Sequence, residues 1–577
     1  MSQDIEKIKQ KRKEWEEKVL KPALDRFWLK ESPTKFYTPA DVEGFDFLTD
    51  VGFPGEYPFT ANTYPTSPYI PAPRRGLPGA SGLVRAATYS GYGTAEDTRD
   101  YYMEMQKRGQ KRGPNLAFDL PTQCGYDSDN PLVRGEIGKT GVAVDTLRDF
   151  EVIYEPFQGD LELDNIASNF TINGPCNIIV SMYFALAEKR GIPLDKLRAT
   201  PQNDILKEFI ARGTYIFPPR HSMRMFRDSL VFFAKHCPHV NITSVGGYHI
   251  RGAGATREQD LAFSMAILIA YLQEGVKTGL DVDSFAPRFS VNAFGGSMEF
   301  FKEIAFQRAA RRMWAKILRE KFGAKNERSM LLRQPAGAHM GYENCTVQRP
   351  LNNLTRSVVG AIASTLSGGL PIPMPPYDEP LGLGWSLEAS QLSEDAFKIL
   401  YYEANLNEVI DPLAGSYYVE HLTDEIEEAA WKELDKIEAM GGAVAAIESG
   451  YMQREIAKSA YERQRRIESG EDLVVGVNCF VGENELEVQT TRLVPHPYDP
   501  TKRERAEDRQ IRNLTEVKKN RDNRAVAQLL KELKGKAEKE ADNLIPHFIE
   551  CAKAYVSEQE MCDVLREAFG EYQPATI

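Results

Sequence analysis

The period of the apolar residues changes along this chain. At the start, Ile5, Ile8, Trp15, Val19, Leu24 and Phe27 stand among dense charge, a spacing that predicts an amphipathic helix over 4–28, interrupted near Pro22. The passage PYIPAPRRGLPGASG, 68–82, has too many prolines and glycines for regular structure and predicts chain running over a surface. From about 85 to 400, short apolar segments alternate with helix-period ones. The strand-like segments are LAFDL (116–120), IASNFTI (166–172), LRATPQ (197–202), ITSVGGYHI (242–250), RFSVNAF (288–294) and SMLLRQ (329–334). Between them lie helical patterns such as EQDLAFSMAILIAYLQEGVKTG and MEFFKEIAFQRAARRMWAKILREKFG.

The last four strand-like segments begin 45, 46 and 41 residues apart, which leaves room for one helix and its loops each time. Repeated β-then-α units form a parallel sheet. Eight of them closing on themselves need at least ~200 residues, and ~315 lie in this interval. An open doubly wound sheet is the alternative, but no Gly-x-Gly-x-x-Gly fingerprint follows an early strand. The expected fold is therefore α/β: an N-terminal helical arm and extended segment over 1–67, a (β/α)8 barrel over 68–410, and a helical C-terminal region over 411–577. The charge runs of that last region read as solvated helix faces.

Composition narrows the function more than the fold. A formal charge of −12 with no basic face argues against nucleic acid. No run approaches the roughly 20 apolar residues of a membrane span, and the charged N-terminus lacks a signal-peptide core. Seven scattered cysteines form no Cys-x-x-Cys pair, so neither a disulfide framework nor a zinc site is implied, and a reducing cytoplasm is expected. Polar residues gather where the strands are expected to end: Asp119, Thr171, Gln202, Tyr248, His249, Asn292 and Arg333. In a barrel that end is the catalytic face. The stretch NITSVGGYHIRGAGAT, 241–256, sets a Tyr-His pair there among glycines that admit close approach to the backbone.

Longer motifs carry a family resemblance. YSGYGTAEDT (89–98), LAFDLPTQCGYDSDNP (116–131), GKTGVAVDTLRDFE (138–151), PQNDILKEFIARGTYIFPP (201–219), GGYHIRGAGAT (246–256), APRFS (286–290) and DPLAGSYYVE (411–420) resemble the catalytic large subunit of methylmalonyl-CoA mutase and related acyl-CoA mutases. The similarity runs from about Tyr37 to Glu485. It implies an isomerase: an adenosylcobalamin-dependent radical 1,2-rearrangement of a branched coenzyme A thioester held in the barrel. His249 matches the family histidine that donates to the thioester carbonyl, Gln202 a second substrate contact, and Tyr248 a residue near the adenosyl group. Tyr89 and Arg212 match the pair that holds a free carboxylate, through two parallel hydrogen bonds in the case of a guanidinium. Thr171, Thr200 and Arg288 match substrate or CoA contacts, the arginine toward a phosphate. Glu379 matches a glutamate near the adenosyl ribose, and no residue is implied as a metal ligand. From the residues alone, Arg212 reads equally as a cation at a helix C-terminus before Gly213; His249 reads first as a strand-end histidine, and the plain reading of Tyr89 is strand packing.

Three segments depart from the family pattern: 61–88, 333–341 and 371–377. The first is longer and proline-rich, with Arg74, Arg75 and Arg85 available for coenzyme A. The second lacks a family glutamine, and the third lacks an asparagine. None of the eight histidines has an aspartate two residues before it, so the cobalt-ligating Asp-x-His-x-x-Gly is missing. The resemblance then implies that adenosylcobalamin is held mainly by a separate small subunit in a hetero-oligomer. The expected substrate is methylmalonyl-CoA/succinyl-CoA or a larger alkylmalonyl-CoA. Isobutyryl- or 2-hydroxyisobutyryl-CoA is the alternative, and a non-catalytic assembly or binding subunit the second.

Overall fold

The computed structural model describes residues 5–26, 30–32, 35–65, 89–107, 112–334, 344–368, 375–381, 387–406, 408–482 and 505–574. Six short strands run through it: β1 Tyr89–Ser90, β2 Asn115–Ala117, β3 Ala167–Thr171, β4 Arg198–Pro201, β5 Thr243–Gly246 and β6 Phe289–Ala293. β1 to β4 pair in that order, all parallel, and β5 pairs parallel with β6. Backbone bonds join the two groups, from Asn241 N–H to the Ala199 carbonyl and from Ser244 N–H to the Gln202 carbonyl, each 2.9 Å. Val291 N–H to the Arg333 carbonyl, also 2.9 Å, carries the series past β6. Among the described residues the strands follow chain order, without the reversal of a doubly wound sheet. The chain is α/β, and mostly helical.

Two strands are shorter than the sequence pattern predicts. In ITSVGGYHI, pairing stops at Gly246 and Gly247–Gly252 forms a short helix, so Tyr248 and His249 sit on a helical turn. The reason is local: the Gly246 N–H is taken by the Asp204 carboxylate at 2.9 Å, which withdraws it from the ladder. In SMLLRQ, Glu327–Met330 is helical beneath an Asn326 cap, and only Leu331 onward is extended. The N-terminal helix Ile5–Trp15 continues through one wide turn, Glu16–Leu20, into Lys21–Arg26. Pro22 lies inside this continuous run and has no N–H to give the preceding turn; the wide turn, closed by Lys21 N–H on the Glu16 carbonyl, sits just before it.

The strands have two unlike faces. On β3 and β4, Ser168, Phe170, Ala199 and Pro201 are buried against helices, while Asn169, Thr171 and Thr200 on the opposite face keep partial exposure. Phe170 packs edge-on against Phe150 and Tyr183 of two such helices. The residues at i and i+2 on a strand share a face, so Thr200 and Gln202 look the same way.

The helical layers are fixed by caps and buried charge. Arg257–Lys277 begins with a capping box between Thr256 and Gln259 and is buried on nearly every side. It lies between helices Pro219–His236 and Tyr417–Ala439. Phe300–Lys316 carries Arg308, fully buried, which pairs with Asp411 and, at 2.5 Å, with Glu420 of Tyr417–Ala439. Helices Ala506–Asn520 and Glu558–Phe569 return to the first strands. Gln510 donates to Asp145 at 2.7 Å and to Asp149 at 2.9 Å, and Lys518 pairs with Asp127 at 2.9 Å. One continuous hydrophobic cluster extends from Phe59 to Phe569.

Removing one partner of a fully buried pair strands the other charge in a poorly polarisable interior. Arg308→Met is therefore expected to destabilise the fold by about 3–5 kcal/mol in denaturant titration, because two carboxylates lose their cation at once.

Candidate functional site

At the carboxyl ends of β4 and β5, three of the residues singled out in the sequence come together. A methyl group built on Gly246 would lie 3.2 Å from Nδ1 of His249, 3.3 Å from the Tyr248 ring and 3.4 Å from Nε2 of Gln202. The three side chains thus converge on Gly246, whose lack of a Cβ lets them pack close to its backbone. The Tyr248 and His249 rings sit 4.0 Å apart, centroid to centroid, and both are half-buried. Gln202 is buried, and its backbone is held by Phe170 and Ser244. Asn203 follows with a left-handed φ of 45°, a conformation asparagine tolerates better than most residues. It turns the chain from the strand into the helical segment 205–212.

That segment carries a buried charge cluster the sequence reading missed. Lys207 is fully buried against Glu208. Glu208 also accepts from Asn173 Nδ2 at 2.7 Å, Thr214 N–H at 3.1 Å and the Thr214 hydroxyl at 2.6 Å. Burial pushes the Lys207 ammonium down from its ordinary range, while the Glu208 carboxylate beside it pulls the other way. Within DILKEFI nothing but a Lys-Glu pair between apolar residues hints at this, and such pairs are ordinarily solvated. Arg212 closes the wide turn Glu208–Arg212 before Gly213, which has a left-handed φ of 87°. Its guanidinium is 3.8 Å from Glu208 with the side chain 29% accessible. Among the described residues it donates no hydrogen bond. A cavity of about 390 Å³ opens beside it, lined by Phe209, Ile210, Arg212, Tyr215, Gln453 and Tyr572 among others. Tyr572 stands edge-on to Phe209 and Tyr215, each 4.8 Å away.

The helical turn bearing His249 is braced from beneath. Arg251 pairs with buried Glu303 at 2.8 Å, and Glu303 also takes Arg257 at 2.8 Å. Asp260 accepts from Gly295 N–H at 3.0 Å, and its Oδ1 lies 2.5 Å from where a Cβ on Gly247 would sit. Complete burial pushes the Asp260 carboxyl up to about 8, against the opposing pull of Arg251.

A second polar group occupies the other end of the strands. Arg333 was expected with the carboxyl-end residues, but its side chain turns the opposite way. It donates at 2.9 Å to Asn241 and at 2.9 Å to the Pro287 carbonyl, residues that precede β5 and β6. Its reach is fixed by Asn241, which donates in turn to the Thr200 hydroxyl at 2.7 Å. Burial, with Arg333 and Arg328 as neighbours, holds Arg288 below the ordinary arginine range. Among the described residues none of these three guanidiniums has a carboxylate within ion-pair distance. Thr200 therefore belongs with Arg288, through Asn241 and Arg333, on the polar face that ends at Gln202.

The other expected residues are apart or structural. Thr171 ends β3 on the polar face, with its carbonyl bonded to Gln123 at 2.8 Å. Asp119 caps Leu120–Gln123 and accepts from Gly138 N–H at 2.6 Å, a structural duty. Tyr89 pairs with Asn115 in β1, and its side chain lies outside the described residues. Glu379 starts a short turn, and burial beside Asp378 pushes its carboxyl up to about 7. Nothing described links it to His249. Arg74, Arg75 and Arg85 fall outside the described residues, as do most of 61–88, 333–341 and 371–377.

Residues 30–571 match the family described as methylmalonyl-CoA mutase. The chain is 38% identical over 548 residues to the 2-hydroxyisobutanoyl-CoA mutase large subunit of Aquincola tertiaricarbonis, covering 94% of this chain and 91% of that one. It is 36% identical over 521 residues to the mitochondrial methylmalonyl-CoA mutase of Mus musculus, covering 90% of this chain and 66% of that one. Identity to the methylmalonyl-CoA mutase large subunit of Streptomyces virginiae is 35% over 569 residues, 96% of this chain and 73% of that one.

A methyl at 246 would press on all three converging side chains at once. Gly246→Ala is expected to lower kcat by about 100-fold, the scale of an ångström misplacement, with circular dichroism and thermal midpoint nearly unchanged. Asp260 keeps its proton to about pH 8, whereas an unfolded-chain aspartate loses it near ~4. The folded state thus binds the extra proton between those values, and stability falls as pH rises through them. Asp260→Asn, which keeps the neutral shape, should make urea stability fall less steeply from pH 6 to 8, by up to about 1 kcal/mol per pH unit.

Proposed function

The chain belongs to the methylmalonyl-CoA mutase family, and on that premise we propose that it is the substrate-binding large subunit of an acyl-CoA mutase acting on a branched acyl-CoA with a free carboxylate. It is an isomerase: a hydrogen and the acyl-thioester group exchange places on neighbouring carbons, and no atom or net electron is gained. The near-equal identities to methylmalonyl-CoA and 2-hydroxyisobutanoyl-CoA mutases leave the acyl group to site chemistry. The observation that carries the carboxylate reading is Arg212. Its nearest acid, Glu208, is already filled by Lys207, Asn173 and Thr214, so the guanidinium's forked donors remain to be matched by an anion. A substrate carboxylate buried there without such a partner would cost several kcal/mol.

We read the six parallel strands in chain order as part of a (β/α)8 barrel whose polar face forms a channel for coenzyme A. Arg288, Arg328 and Arg333 suit the phosphates at the amino end. A five-residue strand covers about 16 Å, and Thr200, Asn241 and Thr171 line the way to Gln202 and His249. The thioester carbonyl then meets the Gln202 amide and the His249 imidazole. Fixed donors there stabilise the charge and spin that pass through that oxygen while the group migrates.

Adenosylcobalamin, when bound, supplies the carbon-centred radical chemistry. The residues of this chain that fit it are Tyr248, half-buried at the strand mouth, and Glu379, whose partly buried acid suits a ribose hydroxyl. No histidine here carries the Asp-x-His-x-x-Gly context, so the cobalt is proposed to come with a separate cobalamin-binding small subunit. What this chain contributes is enclosure, orientation and donors, because water and stray hydrogen sources quench a radical.

The test is turnover of the chain, reconstituted with a cobalamin-binding small subunit, against methylmalonyl-, ethylmalonyl-, isobutyryl- and 2-hydroxyisobutyryl-CoA. Arg212→Gln should cut kcat/KM for the malonyl-type substrates by about 100-fold or more, the scale of a lost charged hydrogen-bond pair, and barely touch the uncharged ones. Equal losses on both kinds would remove the carboxylate reading.

A further inference from the structure

The carbonyl of the Gln202 side chain is filled from behind. It accepts from Asn173 Nδ2 at 2.9 Å and from Lys207 Nζ at 3.2 Å, which uses both lone pairs of an amide oxygen. Neither donor has a choice of polarity. An ammonium has only hydrogens to offer. The Asn173 amide is oriented by Asp204 N–H, which donates to its Oδ1 at 2.9 Å and leaves Nδ2 to donate. Asp204 is locked in turn by Tyr271, whose hydroxyl donates to Oδ1 at 3.0 Å, and by Gly246 N–H on Oδ2. Lys207 Nζ lies in full burial between two oxygens, those of Glu208 and Gln202, and so donates to both. All four side chains behind Gln202, those of Asn173, Asp204, Lys207 and Glu208, are buried.

We propose that Lys207 and Asn173 are positioning residues that fix the polarity of the Gln202 amide, so that it meets the acyl group solely as a hydrogen-bond donor. The amide cannot flip without setting its NH2 against two other donors. Its Nε2 therefore points to the Gly246 side, where His249 Nδ1 also lies. A ligand oxygen that reaches Nε2 finds an N–H with no reorganisation at the moment of reaction, whereas a free glutamine presents either end. This inference rests on the acyl-CoA reading above, and it adds that the group facing Gln202 is an acceptor, the thioester carbonyl, not the hydroxyl hydrogen of a hydroxyacyl substrate.

Because these residues act through Gln202, the test is a double-mutant cycle. Lys207→Met and Asn173→Ser are each made in the parent and in Gln202→Ala, with kcat and KM read on the reconstituted holoenzyme. Acyl-CoA affinity is read by calorimetry on the chain alone. Each substitution is expected to lower kcat by about 10- to 100-fold in the parent, with KM little changed, and by less than about threefold when Gln202 is already absent. Lys207→Arg, which keeps donors and charge, should recover most of the loss. Equal losses in both backgrounds would overturn the inference, since a purely structural role adds independently of Gln202. Should Lys207→Met not fold, the Asn173→Ser arm decides alone. A parent that neither binds nor turns over any acyl-CoA overturns the underlying reading and takes this inference with it; a parent that does, with additive losses, overturns the inference alone.

Discussion

One buried carboxylate constrains the site more than any other group. Glu208 takes two hydrogen bonds from Thr214, one from Asn173 and the ammonium of Lys207. Taking such a charge out of water costs several kcal/mol unless every lone pair is met. The strand end that carries Asn173, the helical segment that carries Lys207 and the loop that carries Thr214 are therefore tied to a single point. Gln202 inherits its orientation from that point, and Arg212 inherits its freedom: the acid that would otherwise neutralise it is already saturated. A donor amide and an uncommitted guanidinium thus arise from the same local solution.

The strands divide the chemistry between their two ends. Among the described residues, cations without acid partners gather where the strands begin, and neutral donors where they end. The two groups connect along the polar face through Thr200, Asn241 and Arg333. An acyl-CoA has the same polarity, phosphate at one extremity and a reactive thioester at the other. A ligand laid in reverse would set phosphates against Gln202 and leave three guanidiniums facing an acyl group.

Much of this was readable in the residues. The alternation of short apolar runs with helical ones predicted the parallel series, and its spacing placed β4, β5 and β6 to within two residues at their starts. Motifs around Gln202 and His249 identified two residues that the fold brings within reach of one point. What escaped the reading obeys a common rule. Side-chain direction beyond a strand's end depends on which backbone amides are already taken, and that is decided by residues far away in sequence. So Asp204 ends β5 early and lifts Tyr248 and His249 onto a helical turn, while Asn241 draws Arg333 toward the opposite end. Lys207 looked like surface charge because a Lys-Glu neighbour pair says nothing about the threonine and asparagine that bury it. Asp119 looked functional by position and proved to be a cap.

The aromatic contact of Tyr572 with Phe209 and Tyr215 has a temporal meaning as well as a spatial one. The wall of the cavity beside Arg212 is supplied by a residue translated long after the turn it covers. On the ribosome, a nascent chain can complete the strands, the charge cluster and the paired rings while the guanidinium still faces bulk solvent. The wall of that cavity is then completed only late in synthesis.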